Sequence, residues 1–433
     1  MRNLKYIRSG LMLLVFAVFG AASAFLLQVM MARTLSAEKY GYLISFYSAI
    51  LIISPLAGFG VGPFLLRLCN SEGGHAVRWF SSVNKYLLTT SLCAFFMPVV
   101  LVSGYSLSMK AMIASIVFVV ALLEVLSVKF QLEGNYTMLA VWQFLPNFFR
   151  FACVGIVCLV YQQDLTLKVL SIAMLISSIA VILVSLQQGI LSKGVGVLND
   201  AACLVSIKLV GEDQLHLEKP KFFDVVSSAW PFGISSFLFL AYFQAAIPLT
   251  GHFVGLVEAG LISVCITLLT AFYLLPVVFY QKALASKINF SVYNDLAVAK
   301  NIFVRGSLVM LLLGIFGALL LFFSAEKIVI TLFGVEYFQA VGLLKVLAFA
   351  VPARYLGASA GAFFISPSLV KIKVAMLFGV AVFNVAFIFL FSYKGVFAIA
   401  YSLLISECLL ASLLFFGSLS VFKGKHNAKG CFV

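Results

Sequence analysis

The sequence predicts an all-α polytopic membrane protein, with twelve transmembrane helices in two six-helix bundles and both termini in the cytoplasm. Three observations predict it. Of the 433 residues, 63% are hydrophobic and only 10% are charged, against about 25% charged in an ordinary soluble domain. Apolar runs of about 20 residues, the length that crosses a bilayer, recur along the chain with short polar breaks. The basic residues collect on alternate breaks. A soluble fold of this size lacks the charged exterior to hide so much apolar surface. A cytosolic enzyme, a disordered chain and a disulfide-rich secreted scaffold are excluded on that ground, and the mean hydropathy of +1.14 agrees.

The runs fall at 10–32, 41–66, 84–104, 111–130, 138–161, 167–187, 225–249, 259–281, 303–324, 341–365, 372–392 and 396–421. The first mimics a signal peptide, since Arg2, Lys5 and Arg8 precede it and Ala22-Ser23-Ala24 resembles a cleavage site. Its apolar stretch, Gly10 to Ala32, outlasts the ~7–15 residues of a signal core. It is therefore expected to remain as an uncleaved span. The second run contains Pro55, Gly58, Gly60, Gly62 and Pro63. No strand precedes these glycines, so they are not a dinucleotide fingerprint; a kink or a close helix crossing is expected instead. Pro231, Pro248, Pro276 and Pro352 are expected to interrupt the seventh, eighth and tenth spans. The apolar connection Ala325–Ala340 is expected to form an interfacial helix.

Orientation follows from the positive-inside rule. With the N-terminus inside, 20 of the 29 Lys and Arg lie on the cytoplasmic side and 6 on the outer side, while Arg150, Lys345 and Arg354 lie within spans. This bias accounts for the net charge of +14 and removes the need for a nucleic-acid partner. The longest break, Gln188 to Asp224, separates two sets of six spans. The expected organisation is an N-terminal lobe (1–187), a cytoplasmic linker (188–224), a C-terminal lobe (225–421) and a cytoplasmic tail (422–433). An even number of spans per half makes the repeat parallel. A faint trace of it survives: Glu38-Lys39-Tyr40-Gly41 leads into the second span and Val257-Glu258-Ala259-Gly260 into the eighth, with Leu43-Ile44-Ser45 and Leu261-Ile262-Ser263 following.

Charges within spans carry the functional signal, because each costs at least ~2.5–3.5 kcal/mol to insert. Glu124 and Arg150 are the candidates in the first half; Lys345, Arg354 and Glu407 are those in the second. Two readings stand open. They line a water-filled cleft, or they pair within a lobe and fasten helices. Arg33 and Arg67 end the first and second spans, either as interface anchors or as ligands of an anionic headgroup through bidentate hydrogen bonds. The eight cysteines and four histidines show no metal-ligand spacing, so no metal site is expected. No nucleotide-binding loop is present and the outer loops are short. These features argue against ATP as a direct driver and against a membrane-bound polymerase or ligase.

Certain segments resemble a known family. Met31-Ala32-Arg33-Thr34-Leu35-Ser36-Ala37-Glu38-Lys39-Tyr40-Gly41 resembles the turn after the first helix of polysaccharide exporters. Gly58-Phe59-Gly60-Val61-Gly62-Pro63 with Arg67 resembles the end of their second helix. Leu332-Phe333-Gly334-Val335-Glu336-Tyr337 with Leu343-Leu344-Lys345-Val346-Leu347 resembles the stretch before their tenth. Thr34 and Ser36 depart from the commonest pattern, which has a hydrophobic residue and Gly. The chain is thus similar to the polysaccharide transporters of the MOP superfamily, and most similar to Wzx-type O-antigen flippases of the bacterial inner membrane. The resemblance implies a non-enzymatic transporter. Its cargo would be an undecaprenyl-pyrophosphate-linked oligosaccharide, moved from the cytoplasmic to the periplasmic leaflet by alternating access through a cationic cavity. A polysaccharide polymerase and a chain-length regulator would be its neighbours. Arg33 and Arg67 match motif positions; Arg150, Lys345 and Arg354 join them as diphosphate and sugar ligands on the burial argument. Glu124 and Glu407 are the candidates for coupling to H⁺ or Na⁺, with no other cofactor. The competing reading is an ion-coupled multidrug extruder of the same superfamily, which needs acids rather than arginines deep in its cleft.

Overall fold

A computed structural model of the chain describes residues 2–101, 104–161, 166–187, 194–198, 219–277, 279–280, 284, 288, 291, 296–364 and 367–423. Every long element among them is helical. In chain order the helices are α1 (Arg2–Thr34), α2 (Ala37–Ile53), α3 (Val61–Glu72), α4 (Phe80–Leu101), α5 (Leu107–Ala114), α6 (Ile116–Leu132), α7 (Tyr136–Tyr161) and α8 (Leu167–Leu186). After the mid-chain break come α9 (Phe222–Gln244), α10 (Ala246–Phe253), α11 (Leu256–Val277), α12 (Leu296–Phe333), α13 (Ala340–Ala348), α14 (Ala350–Gly361), α15 (Pro367–Phe391) and α16 (Val396–Lys423). Most of the linker and the tail beyond Lys423 lie outside the described residues.

Among the described residues, each of the twelve apolar runs is largely helical. Ten helical segments among the described residues are long and apolar enough to cross a membrane, and α13 with α14, bent by 42°, makes an eleventh. One of the ten, Ala37–Val100, holds 64 residues. At 1.5 Å per residue that is far longer than a bilayer core of ~30 Å, and it contains two of the expected spans.

Contacts divide the chain into two compact units: Met1–Leu27 with Ala49–Phe237, and Gln28–Ser48 with Leu238–Val433. The lobes expected from helix count divide the chain once. The division by contact exchanges two pieces, the outer ends of α1 and α2 and the first two-thirds of α9.

In the first unit α3, α4 and α6 meet around Val61, Phe64, Leu65, Val83, Tyr86, Val125 and Leu126, with Val225 and Ala229 of α9 closing the same core. Ser106 and Thr166 cap the starts of α5 and α8 by accepting from Met109 N and Val169 N, each at 3.4 Å. Pro98 and Pro146 sit inside α4 and α7 without ending them.

In the second unit α12, α14, α15 and α16 pack side by side. Phe303 of α12 anchors the cluster, its ring 5.4–5.5 Å from those of Phe363, Phe415 and Phe422. Proline acts where its missing N–H falls. Pro248 leaves the carbonyl of Gln244 without its helical donor, and α9 ends at Gln244. Pro352 does the same to Ala348, where α13 gives way to α14. Pro231, expected to interrupt its helix, lies inside α9 instead, while α11 ends one residue beyond Pro276. Spanning helices tolerate a single lost donor when neighbours supply packing.

The expected interfacial helix at 325–340 is corrected. Residues 325–333 are the last turns of α12, which runs 38 residues, or roughly 57 Å at helical rise, and Val335–Tyr337 form a 3-10 turn. The chain then turns at Gly334, whose φ is 102°. Ser324, Glu326 and Lys327 interrupt the apolar run without ending the helix, because no glycine or proline lies between them and Gly334.

Candidate functional site

The first cluster is built on a broken helix. The second span separates into α2, a 3-10 turn at Ser54–Ala57 and α3. Pro55 cannot donate to the carbonyl of Leu51, and the Ser54 hydroxyl donates to it instead at 2.9 Å. Phe59 and Gly60 then take positive φ values of 36° and 85°, conformations that unwind the chain. Unpaired backbone groups at this depth would cost several kcal/mol each, and α4 and α6 satisfy them. The hydroxyls of Thr90 and Ser91 donate to the carbonyl of Ala57 at 3.1 and 2.7 Å. That of Tyr86 donates to Phe59 at 3.1 Å. On the other side of the break, Glu124 of α6 accepts the N–H of Gly62 at 3.2 Å, at the start of α3. Its carboxylate therefore faces the positive end of a helix dipole. Gly58 and Gly62 make room for it, since a Cβ at Gly58 would overlap the Glu124 carboxylate.

The second cluster lies in the second unit and joins Arg354 of α14 to Glu407 of α16. Arg354 Nη1 stands 3.5 Å from Glu407 Oε1, with side-chain exposures of 11% and 3%. Tyr242 of α9 bridges the pair. Its hydroxyl accepts from Arg354 and donates to Glu407 Oε1 at 3.2 Å. Phe239, Tyr273 and Phe243 surround the guanidinium, with ring centroids 4.6, 5.0 and 5.6 Å from its carbon. Cation–π attraction strengthens when the cation is desolvated. Asn384 of α15 donates to the Tyr242 main-chain carbonyl, and Ser402 of α16 donates to Asn384 Oδ1 at 2.5 Å. Four helices are thereby tied through one charge pair. Of the two readings of these charges, the geometry shows pairing within a unit for Arg354 and Glu407.

The third cluster brings together two of the sequence signatures. Arg33, at the end of α1, donates from Nε to the carbonyl of Leu332 at 2.7 Å and from Nη2 to that of Thr331. These are among the last carbonyls of α12, so the guanidinium caps the negative end of that helix. In return Glu336 accepts the N–H of Ala37, the first residue of α2, at 2.7 Å. The Tyr337 hydroxyl donates to Ala32 O at 3.1 Å, and its ring meets Tyr40 edge-on at 6.1 Å.

The remaining candidates stand apart from these clusters. Arg67 is exposed on α3. Arg150 is half-buried on α7. Lys345 is half-buried on α13 with its ammonium 5.7 Å from the Phe322 ring. Sequence reasoning missed Tyr242, Asn384, Ser402 and Tyr86. An asparagine inside the run 372–392 was a usable signal, because a spanning helix seldom carries one without a partner. The tyrosines gave none, since 16 are spread along the chain. Among the described residues no cluster of three His, Cys, Asp or Glu could hold a metal ion.

Comparison with known proteins identifies the fold. No protein-family model matches the sequence, and no curated protein matches it. Solved structures do. An inward-facing multidrug resistance MATE family transporter of the MOP superfamily matches with a TM-score of 0.67 and 12% identity, over 93% of this chain and 94% of that one. An outward-facing conformation of a MATE family transporter of that superfamily matches with a TM-score of 0.65 and 12% identity, over 96% and 95%. A eukaryotic MATE transporter matches with a TM-score of 0.61 and 15% identity, over 96% of both chains. The chain is a multi-pass integral membrane protein with the fold of MATE transporters.

Proposed function

We propose that this protein is a flippase of the bacterial inner membrane. It carries an undecaprenyl-pyrophosphate-linked oligosaccharide, such as an O-antigen repeat unit, from the cytoplasmic to the periplasmic leaflet. The observation that carries this reading is the interlock of Arg33 and Ala37 with Leu332 and Glu336. Two segments that resemble polysaccharide exporters, nearly 300 residues apart in sequence, hold one another by reciprocal helix caps. Their likeness to that branch therefore rests on one physical unit rather than on scattered short matches. The similarity to both inward- and outward-facing MATE structures supports alternating access.

The chemistry asks for cations, since the cargo headgroup is a diphosphate with sugars attached. Arg67 and Arg150, both in the first unit, are the candidates for that role, while Arg33 and Arg354 hold helices. Glu407 is neutralised by Arg354, so the more deeply buried acid has no charge to spare for a cationic drug. This favours the flippase over the multidrug extruder. Glu124 is the coupling residue. It faces a helix dipole of roughly half a charge and makes no ion pair among the described residues, which leaves room for H⁺ or Na⁺. No bond in the cargo changes, so no nucleophile or acid–base pair is required. The polymerase and chain-length regulator act on the product.

Deleting the gene in its host tests the reading through two pools, surface polysaccharide and lipid-linked repeat units. Surface glycan should be lost while single repeat units are retained on the cytoplasmic face. Single units accumulating on the outer face would instead mark a polymerase defect. Unchanged pools would turn the assignment to drug extrusion.

A further inference from the structure

The two faint repeat segments meet face to face in the second unit. Gly41 is the fifth residue of α2 and Gly260 the fifth residue of α11. A Cβ on Gly41 would overlap the carbonyl of Leu256, the first residue of α11, and lie 3.0 Å from Gly260 N. A Cβ on Gly260 would lie 2.8 Å from the carbonyl of Ala37, the first residue of α2, and 3.6 Å from Gly41 N. The contact is thus reciprocal: each glycine is pressed on the opening carbonyl of the other helix. A reciprocal contact of this kind is expected where two repeat-related helices meet. It agrees with the register in which Gly41 and Gly260 correspond, since the glycines and the helix starts coincide.

The crossing has the properties of a seal. Backbone meets backbone with no side chain between, the closest approach that two helices can make. It holds no ion pair, so parting it strips no charge of its partner. One turn deeper, Gly251 presses on Ser45, a Cβ there falling 2.6 Å from the Ser45 hydroxyl. The Tyr40 hydroxyl lies 3.2 Å from that of Ser263 and donates to Gln28 at 2.8 Å, and Thr267 faces the same hydroxyl. The bias of basic residues puts these helix starts at the outer face.

We propose that the Gly41–Gly260 crossing is the outer gate of the transporter, closed in this structure and parted when the cargo leaves. This rests on the transport reading but not on the nature of the cargo. Gly41→Ala and Gly260→Ala should each wedge the crossing and shift the population toward the open form. Thr267→Cys, beneath the crossing, reports the opening. Spheroplasts are treated with a membrane-impermeant maleimide, and modification at position 267 is read by peptide mass spectrometry, so the native cysteines need not be removed. With both glycines in place the reporter should be protected. Gly41→Ala, whose Cβ would overlap the Leu256 carbonyl outright, should speed its modification by about tenfold, the change expected from a shift of ~1.4 kcal/mol in the closed–open balance. Gly260→Ala, whose Cβ would lie 2.8 Å from the Ala37 carbonyl, should act in the same direction with a smaller effect.

Unchanged labelling in folded, monodisperse alanine variants would overturn the inference, as would an effect from Gly260→Ala without one from Gly41→Ala. Should an alanine variant fail to fold, Tyr40→Phe removes only the hydroxyl bonds to Ser263 and Gln28. Faster labelling there supports the gate, and unchanged labelling contradicts it. A gate that opens in a protein that moves no lipid-linked glycan would leave this inference standing and overturn the cargo assignment alone.

Discussion

Arg354→Met is expected to destabilise the second unit by ~3–5 kcal/mol, the range found when one partner of a buried ion pair is removed. The reason is Glu407, which is 3% exposed in its side chain and would keep only the Tyr242 hydroxyl as partner. Three aromatic rings would also lose the cation they surround. The double variant Arg354→Met/Glu407→Gln should recover most of the loss, because a neutral amide can accept from Tyr242 without demanding a counter-charge. Glu407→Gln alone should do less harm than Arg354→Met, since the guanidinium keeps its rings and its bond to Tyr242. Thermal unfolding in detergent, followed by size-exclusion fluorescence, reads all three. A double variant no more stable than Arg354→Met would show that packing, and not charge, holds these four helices.

Gly60→Ala should be nearly as damaging in the first unit. Two costs add there. The backbone at Gly60 has a φ of 85°, where a Cβ costs ~1–2 kcal/mol. The same Cβ would overlap the carbonyl of Ala229 and come within 2.6 Å of Gly233 N, and overpacking costs a further ~1–3 kcal/mol. Gly104 is a fitting control. Its φ is 89°, yet nothing lies within 4 Å of a Cβ built there, so Gly104→Ala should show the backbone cost alone. Equal losses at the two positions would mean that the approach of α9 to the break contributes nothing.

The twelve spans were legible because hydrocarbon imposes length and hydropathy on every helix that crosses it. The broken second span was legible as well, through Pro55 and the glycines from 58 to 62. Its companion was not. Nothing near Glu124 in sequence says that its carboxylate caps a helix start some 60 residues earlier. The Arg354–Glu407 pair was visible as one of two alternatives, since burial alone does not tell a paired charge from one that faces water. Tyr242 was invisible because its value lies in bridging two residues that are 53 positions apart. Arg33 was visible at the end of the first span, but its bonds to the last carbonyls of α12 were not, since those lie about 300 residues away in sequence. Pro231 shows the limit of local rules, for a proline removes one hydrogen bond and tertiary packing decides whether the helix goes on.

Reconstituted transport tests the central claim most directly. Purified protein would be placed in proteoliposomes loaded on one leaflet with undecaprenyl-pyrophosphate-linked oligosaccharide extracted from the host. Exposure of the sugar on the other leaflet would be followed with an impermeant glycosidase, with and without a H⁺ or Na⁺ gradient. The account predicts protein-dependent exposure of the glycan without nucleotide, stimulated by one of the gradients, and loss of that stimulation in Glu124→Gln. Glycan that stays on its original leaflet, in vesicles that expel a lipophilic cation under the same gradient, would contradict it.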